Sequence, residues 1–355
     1  MTQSLERNLD SGGDWSWRSN RYAWWVAFVL TLSMMLSMVD RMIIALMVEP
    51  IKVDFALTDT HIGLLHGLAF TMLYVVMGLP LGWLVDRKSR RAIAAISLLA
   101  WSVMTGLCGL AASYSQLFLA RVGVGIGEAG MSPAAASLIS DYFPASRRAA
   151  PLLCLTLGTA LGGGIALIFG GLVMHLIGGT PVIDVPIFGP TRSWQFVFLL
   201  LGAMGIVYSV VFVTVREPPR QERLASRELT LREITAYLAS RRPILLYHFV
   251  GVGGAALVLM AMNLWIPSFL IRTLGWDRVT VGWGYGALLV SASVVGVVIA
   301  GIVTSRLQRT GRRDAALRVS FWAVIVAMLP LLVAPLLRLP QLVMPLLFVG
   351  MVSLT

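Results

Sequence analysis

An all-α integral membrane protein is the fold class this sequence predicts, and three observations predict it. Hydrophobic residues make up 57% of the chain and charged residues 13%, more apolar surface than one water-soluble core of this length can bury. The apolar residues gather into ten runs of membrane-spanning character, suited to crossing about 30 Å of hydrocarbon as helices. The basic residues between the runs favour alternate loops, as they do where a chain weaves back and forth across a bilayer.

The runs place helices at 22–47, 62–84, 91–111, 117–140, 149–175 and 194–215, then at 244–272, 279–304, 317–337 and 341–355. Four segments follow: an N-terminal tail at 1–21, a six-helix bundle at 22–215, a polar linker at 216–243, and a partial second bundle of helices seven to ten at 244–355. The tenth run reaches Thr355 without a flanking charge or loop, so the chain is expected to be cut short. The tail is polar and lacks the apolar stretch of a signal peptide, so the first helix is expected to stay as an anchor.

The formal net charge of +11 raises the question of nucleic acid, and its distribution answers it. Of the 28 lysines and arginines, 21 fall on the side of the tail and the alternate loops, five fall on the other side, and Arg41 and Arg121 lie within helices. That asymmetry puts the N-terminus in the cytoplasm of a multi-pass protein of the cell (inner) membrane, with anionic lipid headgroups rather than DNA or RNA as the partner of the basic loops. The linker carries a capping-box pattern at Thr230 and Glu233, followed by Leu231, Ile234 and Leu238 at amphipathic spacing. It reads as a connector helix lying on the membrane surface. Cys108 and Cys154 both fall inside predicted helices, so no disulfide framework or metal cluster is expected.

The linker separates two halves with a shared signature. "GWLVDRKSRR" begins at Gly82 after the second helix, and "GIVTSRLQRTGRR" begins at Gly301 after the eighth. Each puts an arginine five residues on, Arg87 and Arg306, and runs into a basic cluster. Parallel repeats of this kind mark transporters built from two bundles that rock about a central site.

Gly82, Leu84, Asp86, Arg87, Arg90 and Arg91 match the loop pattern G-x-L-x-D-R-x-G-R-R, with Ser89 replacing the usual glycine. The chain thereby resembles the major facilitator superfamily. "DRMIIALMVEPIKVDFALTDTHIGLLHGLAF" and "RVGVGIGEAGMSPAAASLISDYFP" resemble its spinster-like branch. The resemblance implies a major facilitator fold of two six-helix bundles, here ending after about ten helices, and a lysophospholipid or sphingoid-phosphate type of substrate. It also implies that Asp86 and Arg87 form a cytoplasmic gate, with Gly82, Arg90, Arg91 and Arg306 around it. Arg90 and Arg91 have a simpler alternative as solvated loop charges that set topology. Ser305 stands where the second repeat would carry an acid, so the second gate is expected to be weaker. The fifth helix, "LGTALGGGIALIFGG", lacks the proline of the drug–proton antiporter motif.

Asp40 and Arg41 sit side by side in the first helix, where each charge costs at least about 2.5–3.5 kcal/mol. Adjacent helical residues point about 100° apart, so each needs a partner from elsewhere. Arg121 and Glu128 in the fourth helix are seven residues apart, on one face and about 10 Å apart along the axis. The first and fourth helices run in opposite directions, which puts Asp40 and Arg121 at similar depth. Asp40 is therefore paired with Arg121, leaving Arg41 and Glu128 to face a cavity. Static ion pairing is the bland reading of the set. Proton coupling is the functional one, because a buried carboxylate beside a mobile arginine gains or loses a proton as the helices move. Glu128 is the first candidate for proton carrier and Asp40 the second.

His66 and Tyr74 in the second helix, and Asn263 and Trp265 in the seventh, are further candidates for substrate contact, with helix packing as the alternative. Gly125, Gly127 and Gly130 spell G-x-G-x-x-G, but no strand precedes them, so they read as close helix packing rather than nucleotide binding. No P-loop and no H-E-x-x-H occurs, so neither an enzyme nor an ATP-driven pump is expected, and no cofactor or metal. The reading is a proton-coupled secondary transporter, expected as a monomer, moving an amphipathic or anionic small molecule. A small organic anion or sugar acid is the alternative cargo. A channel or non-transporting receptor is the alternative class.

Overall fold

The computed structural model describes residues 17–178, 180–186, 188–220, 231–312 and 314–354. Among these, nine helices are long and apolar enough to cross a membrane, and Pro340–Leu354 is an apolar helix of 15 residues. The chain is almost wholly helical because a backbone in hydrocarbon must satisfy its hydrogen bonds within its own segment.

The first span, Asn20–Phe55, is built from α1 (Trp17–Met42) and α2 (Ile44–Phe55), interrupted at Ile43 just beyond the Asp40–Arg41 pair. Pro50 lies inside α2 and withdraws one backbone donor from the helix. The second span joins α3 (Asp59–Gly63), a π-helical turn at Leu64–Leu68 and α4 (Ala69–Arg87). Next come α5 (Arg90–Gly109), α6 (Tyr114–Glu128) and α7 (Met131–Tyr142), the last two forming one span. The Ser89 and Ser113 hydroxyls cap the starts of α5 and α6 by accepting from the Ala92 and Gln116 amides.

α8 (Ala149–Leu176) leads into an antiparallel hairpin of β1 (Val182–Val185) and β2 (Gly189–Arg192), in which Val182 faces Arg192. α9 (Ser193–Ser209) follows and ends in a 3-10 turn at Val210–Thr214. Beyond the linker stand α10 (Leu231–Ser240), α11 (Arg242–Leu274), α12 (Arg278–Arg309), α13 (Ala315–Val333) and α14 (Pro340–Leu354). The connector helix expected in the linker is α10; Thr230 of its capping box lies outside the described residues.

Packing divides the chain into two compact units. Among the described residues, the first holds those from 17 to Asp40, Lys52–Thr159 and Pro181–Arg220; the second holds Arg41–Ile51, Ala160–Thr180 and those from 231 on. In the first unit α5 lies between α9 and α6, and α4 packs on α6. Glycines make these approaches close. A Cβ on Gly125 would stand 2.4 Å from the Phe70 carbonyl oxygen, and one on Gly127 2.6 Å from the Trp101 amide nitrogen. The glycine spacing of α6 thus serves backbone-to-backbone packing.

In the second unit the later part of α8 packs on α12, again through glycine. A Cβ on Gly164 would meet the Gly286 carbonyl oxygen at 2.6 Å, and one on Gly282 the Gly171 Cα at 2.6 Å. Through that contact part of the fifth span packs with a helix that follows the linker, while Gly170 on the same stretch meets Ile43 and Leu46 of the first span.

Candidate functional site

The charges inside the first unit meet between α1 and α6. Arg121 Nη1 lies 3.2 Å from Asp40 Oδ1 and also donates to the Asp40 carbonyl oxygen at 3.4 Å. Both side chains are buried, Arg121 at 0% and Asp40 at 2% exposure. The Thr105 hydroxyl from α5 donates to the other Asp40 oxygen. Three helices therefore converge on one carboxylate. The Phe70 ring of α4 lies beneath the guanidinium, 5.7 Å from ring centre to Cζ, and Tyr74 stacks on Phe70 at 5.3 Å.

One turn earlier along α1, the Ser37 hydroxyl donates to Glu128 Oε2 at 2.7 Å. Ser37 and Asp40 lie three residues apart on one helical face, as Arg121 and Glu128 lie seven apart on theirs. The antiparallel course of α1 and α6 brings both pairs into register. Glu128, expected to face a cavity with Arg41, is instead 1% exposed. Its partner Ser37 escaped notice because most such hydroxyls bond their own helix, as Ser33 does to the Val29 carbonyl.

Arg121 is not fully used by its partners. Its Nε and Nη2 are buried and have no hydrogen-bond partner among the described residues. A guanidinium carries five N–H donors and no acceptor, so Arg121 keeps a buried, cationic, donor-rich edge after Asp40 is bound. An edge of that kind suits a carboxylate or phosphate oxygen.

The remaining sequence candidates fall in several places. Arg41 belongs to the second compact unit and is half-buried. His66 sits in the π-helical turn, eight residues before Tyr74 of α4, and both side chains are half-buried. Asn263 and Trp265 are half-buried on α11, in the second unit. Arg306 is exposed near the end of α12.

At the loop between α4 and α5, Gly82 has open space around its Cα, Asp86 is exposed, and Arg87 lies over the Trp83 ring at 4.3 Å. Arg90 departs from the solvated-charge alternative: it is 1% exposed and bonds Asp141, Glu217 Oε1 at 2.8 Å, and the Pro218 carbonyl at 2.7 Å. Arg91, one residue on and rotated by about 100°, points elsewhere and donates through Nε to the Phe212 carbonyl at 3.1 Å.

The stretch Val215–Arg220 acts as a strap across these helix ends. Glu217 accepts from Ser89 Oγ, from the Arg90 and Arg91 amides, and from Arg90 Nε. Partial burial pushes the Glu217 carboxyl up, but the Arg90 side chain, the Arg91 amide and Ser89 outweigh it and hold it below its ordinary value. Arg220 Nη2 donates to the Val85 and Lys88 carbonyls at the end of α4, and the Tyr22 hydroxyl accepts from the Arg216 amide. "REPPR" in the sequence reads as a helix terminator followed by a linker; its acid and its last arginine carry a structural role that sequence reasoning missed.

The apolar helices, the repeated basic loops and the buried charge set together define an integral membrane transporter built from repeats. Comparison with known proteins places it: the Major Facilitator Superfamily pattern matches residues 30–355, and the chain belongs to that family. Within the family it is spinster-like. A bacterial homolog of the human lysosomal transporter spinster, solved inward-facing and unoccupied, superposes with a TM-score of 0.77 at 28% identity, over 94% of this chain and 73% of that one. Spinster homolog 1 of Xenopus tropicalis is 29% identical over 264 residues, covering 72% of this chain and 47% of the relative. An MFS-type efflux pump of Mycolicibacterium smegmatis is 33% identical over 315 residues, 88% of this chain and 68% of the relative. A D-galactonate transporter of Escherichia coli is 26% identical over 305 residues, 80% and 67% respectively. The chain thus spans between about half and about two thirds of the length of these three relatives.

Proposed function

We propose that this protein is a proton-coupled secondary transporter of an anionic small molecule, working by alternating access, with its N-terminus in the cytoplasm of the inner membrane. The observation that carries the reading is Arg121: wholly buried, paired with Asp40 on one side, and left with unpartnered donors at Nε and Nη2. An anion reaching those donors competes with Asp40 for the same guanidinium. Asp40 then loses part of its counter-charge and binds a proton more readily, which ties substrate binding to protonation. Glu128, hydrogen-bonded to α1 through Ser37, is the second carrier in the same helix pair. Asp86 and Arg87 serve as the cytoplasmic gate, with Arg306 at the corresponding place in the second repeat.

The spinster-like character favours a lysophospholipid-like amphiphile as the cargo, its phosphate on Arg121. Similarity to the D-galactonate transporter favours a second reading, in which the carboxylate of a sugar acid occupies the same edge. His66, Tyr74, Asn263 and Trp265 then distinguish cargo by what lies beyond the anionic group. The test is uptake of labelled lysophosphatidic acid and of labelled D-galactonate into proteoliposomes under an imposed pH gradient, for the wild type and for Arg121→Lys and Glu128→Gln. Gradient-driven flux of one cargo, lost in Arg121→Lys and uncoupled from pH in Glu128→Gln, is the expected result. Flux that ignores both substitutions would remove Arg121 and Glu128 from the mechanism.

A further inference from the structure

An open cavity of about 380 Å³ lies at one end of the first unit, between the start of α5 and the end of α9, and its lining includes Arg91, Ala95, Ile96, Ser209, Phe212 and Val213. We propose that it is a binding site for one anionic phospholipid of the adjacent leaflet, with the lipid phosphate on Arg91.

Three observations converge on that ligand. The first is the guanidinium. Arg91 spends Nε on the Phe212 carbonyl at 3.1 Å, which fixes the plane of the fork, while its two terminal amino groups have no hydrogen-bond partner among the described residues. A fork held in this way matches two oxygens of one phosphate. Glu217 also lines the cavity, but its carboxylate already accepts four hydrogen bonds, from Ser89, the two amides and Arg90 Nε, which occupy its oxygens. It is therefore a poor partner for an ammonium headgroup and a weak deterrent to an anion.

The second observation is the wall. Ile96 is 66% exposed and Val213 69% exposed, although both belong to a membrane-spanning segment. Among the described residues nothing covers them, so in a bilayer acyl chains do. Ile96 lies five residues inward from Arg91, about 7.5 Å along the helix. The headgroup region of one leaflet is about 5–8 Å thick. A lipid whose phosphate sits on Arg91 therefore has its first acyl carbons beside Ile96.

The third observation is charge. The α4–α5 junction and the strap, which supply Ser89, Arg91 and Glu217 to the lining, carry Arg87, Lys88, Arg90, Arg91, Arg216 and Arg220 against Asp86 and Glu217, and Asp141 of α7 bonds Arg90. The excess is positive, which selects a headgroup of net negative charge over a zwitterionic one.

The test is native mass spectrometry of the full chain, exchanged from detergent into defined amounts of phosphatidylglycerol or phosphatidylcholine. The wild type is expected to retain one phosphatidylglycerol. Arg91→Gln is expected to weaken retention at least about tenfold, the scale of losing charge-assisted hydrogen bonds. Ala95→Trp, which fills the apolar side of the cavity and leaves every charge in place, is expected to do the same, while Arg147→Gln, an exposed arginine outside the cavity, retains the lipid. Equal retention in the wild type, Arg91→Gln and Ala95→Trp would overturn the site. Phosphatidylcholine bound as tightly as phosphatidylglycerol would overturn the anionic selectivity. Displacement of the lipid by inorganic phosphate alone would show a phosphate-ion site and overturn the lipid assignment.

Discussion

Asp40 and Arg121 are expected to behave as one energetic unit, and a double-mutant cycle measures whether they do. At the observed 3.2 Å, two unit charges attract by about 5 kcal/mol at an effective dielectric constant near 20; desolvation of both groups offsets much of that in the intact pair. The offset is not recovered when only one charge is removed. Asp40→Asn keeps an oxygen for Thr105 but leaves a guanidinium at 0% exposure with no counter-charge beside it. Arg121→Gln leaves a carboxylate at 2% exposure with Thr105 as its remaining hydrogen-bond donor in the set. Each single change is expected to cost about 3–5 kcal/mol, whereas Asp40→Asn with Arg121→Gln, which removes both charges, costs well below the sum. The expected coupling is about 3 kcal/mol. The assay is equilibrium unfolding in mixed micelles titrated with a denaturing detergent, read by helical circular dichroism. Additivity of the two single changes to within about 0.5 kcal/mol would refute the reasoning, because contacting charges that add independently are not a pair.

Two further outcomes follow from the same structure. Gly125→Leu puts a side chain where a Cβ alone would stand 2.4 Å from the Phe70 carbonyl, so it is expected to cost at least about 1–3 kcal/mol in the same unfolding assay, while Gly78→Ala on α4, with nothing within 4 Å, stays near wild type; equal effects would show that α6 does not need the close approach. Glu217 has a folded pKa below its ordinary value, so its hold on the Ser89–Arg91 loop is fully present above the ordinary glutamate range and is lost as pH falls through the lowered folded value. Amide exchange at Arg90 and Arg91, corrected for intrinsic rate, is expected to quicken over that acid window in the wild type, and to be fast at neutral pH in Glu217→Gln; protection independent of both pH and substitution would contradict the strap.

What could be read from the sequence, and what could not, follows from where the information lies. Spans are written locally, in runs of apolar residues whose backbone has no alternative to a helix, and all ten sequence spans have a helical counterpart. The interruption at Ile43 has no proline to mark it, and the π turn at Leu64–Leu68, though it holds His66 and Gly67, lies in an apolar run that hydropathy alone reads as continuous helix. Asp40 with Arg121 was legible because a charge in an apolar run demands a partner, and opposite helix directions restrict which depths can meet. Ser37 and Thr105 were not, since a hydroxyl in a helix can always bond its own carbonyls and so demands nothing.

Arg90 and Arg91 show the same limit at its sharpest. They are chemically identical neighbours in a basic cluster, and the sequence treats them alike. A rotation of about 100° sends one into a buried bond set with Asp141 and Glu217 and the other to the edge of a lipid-facing cavity. The deciding partners come from α7 and from the strap, 51 and 127 residues away along the chain. Glu217 determines both fates. By accepting the amides of Arg90 and Arg91 it fixes the first turn of α5, and by joining Asp141 on the Arg90 side chain it leaves the Arg91 guanidinium outside that ion-pair set. The basic loop that the sequence reads as a topology signal is therefore divided in the structure into a brace and a binding edge, and the division rests on one acid in the segment that looked like a linker.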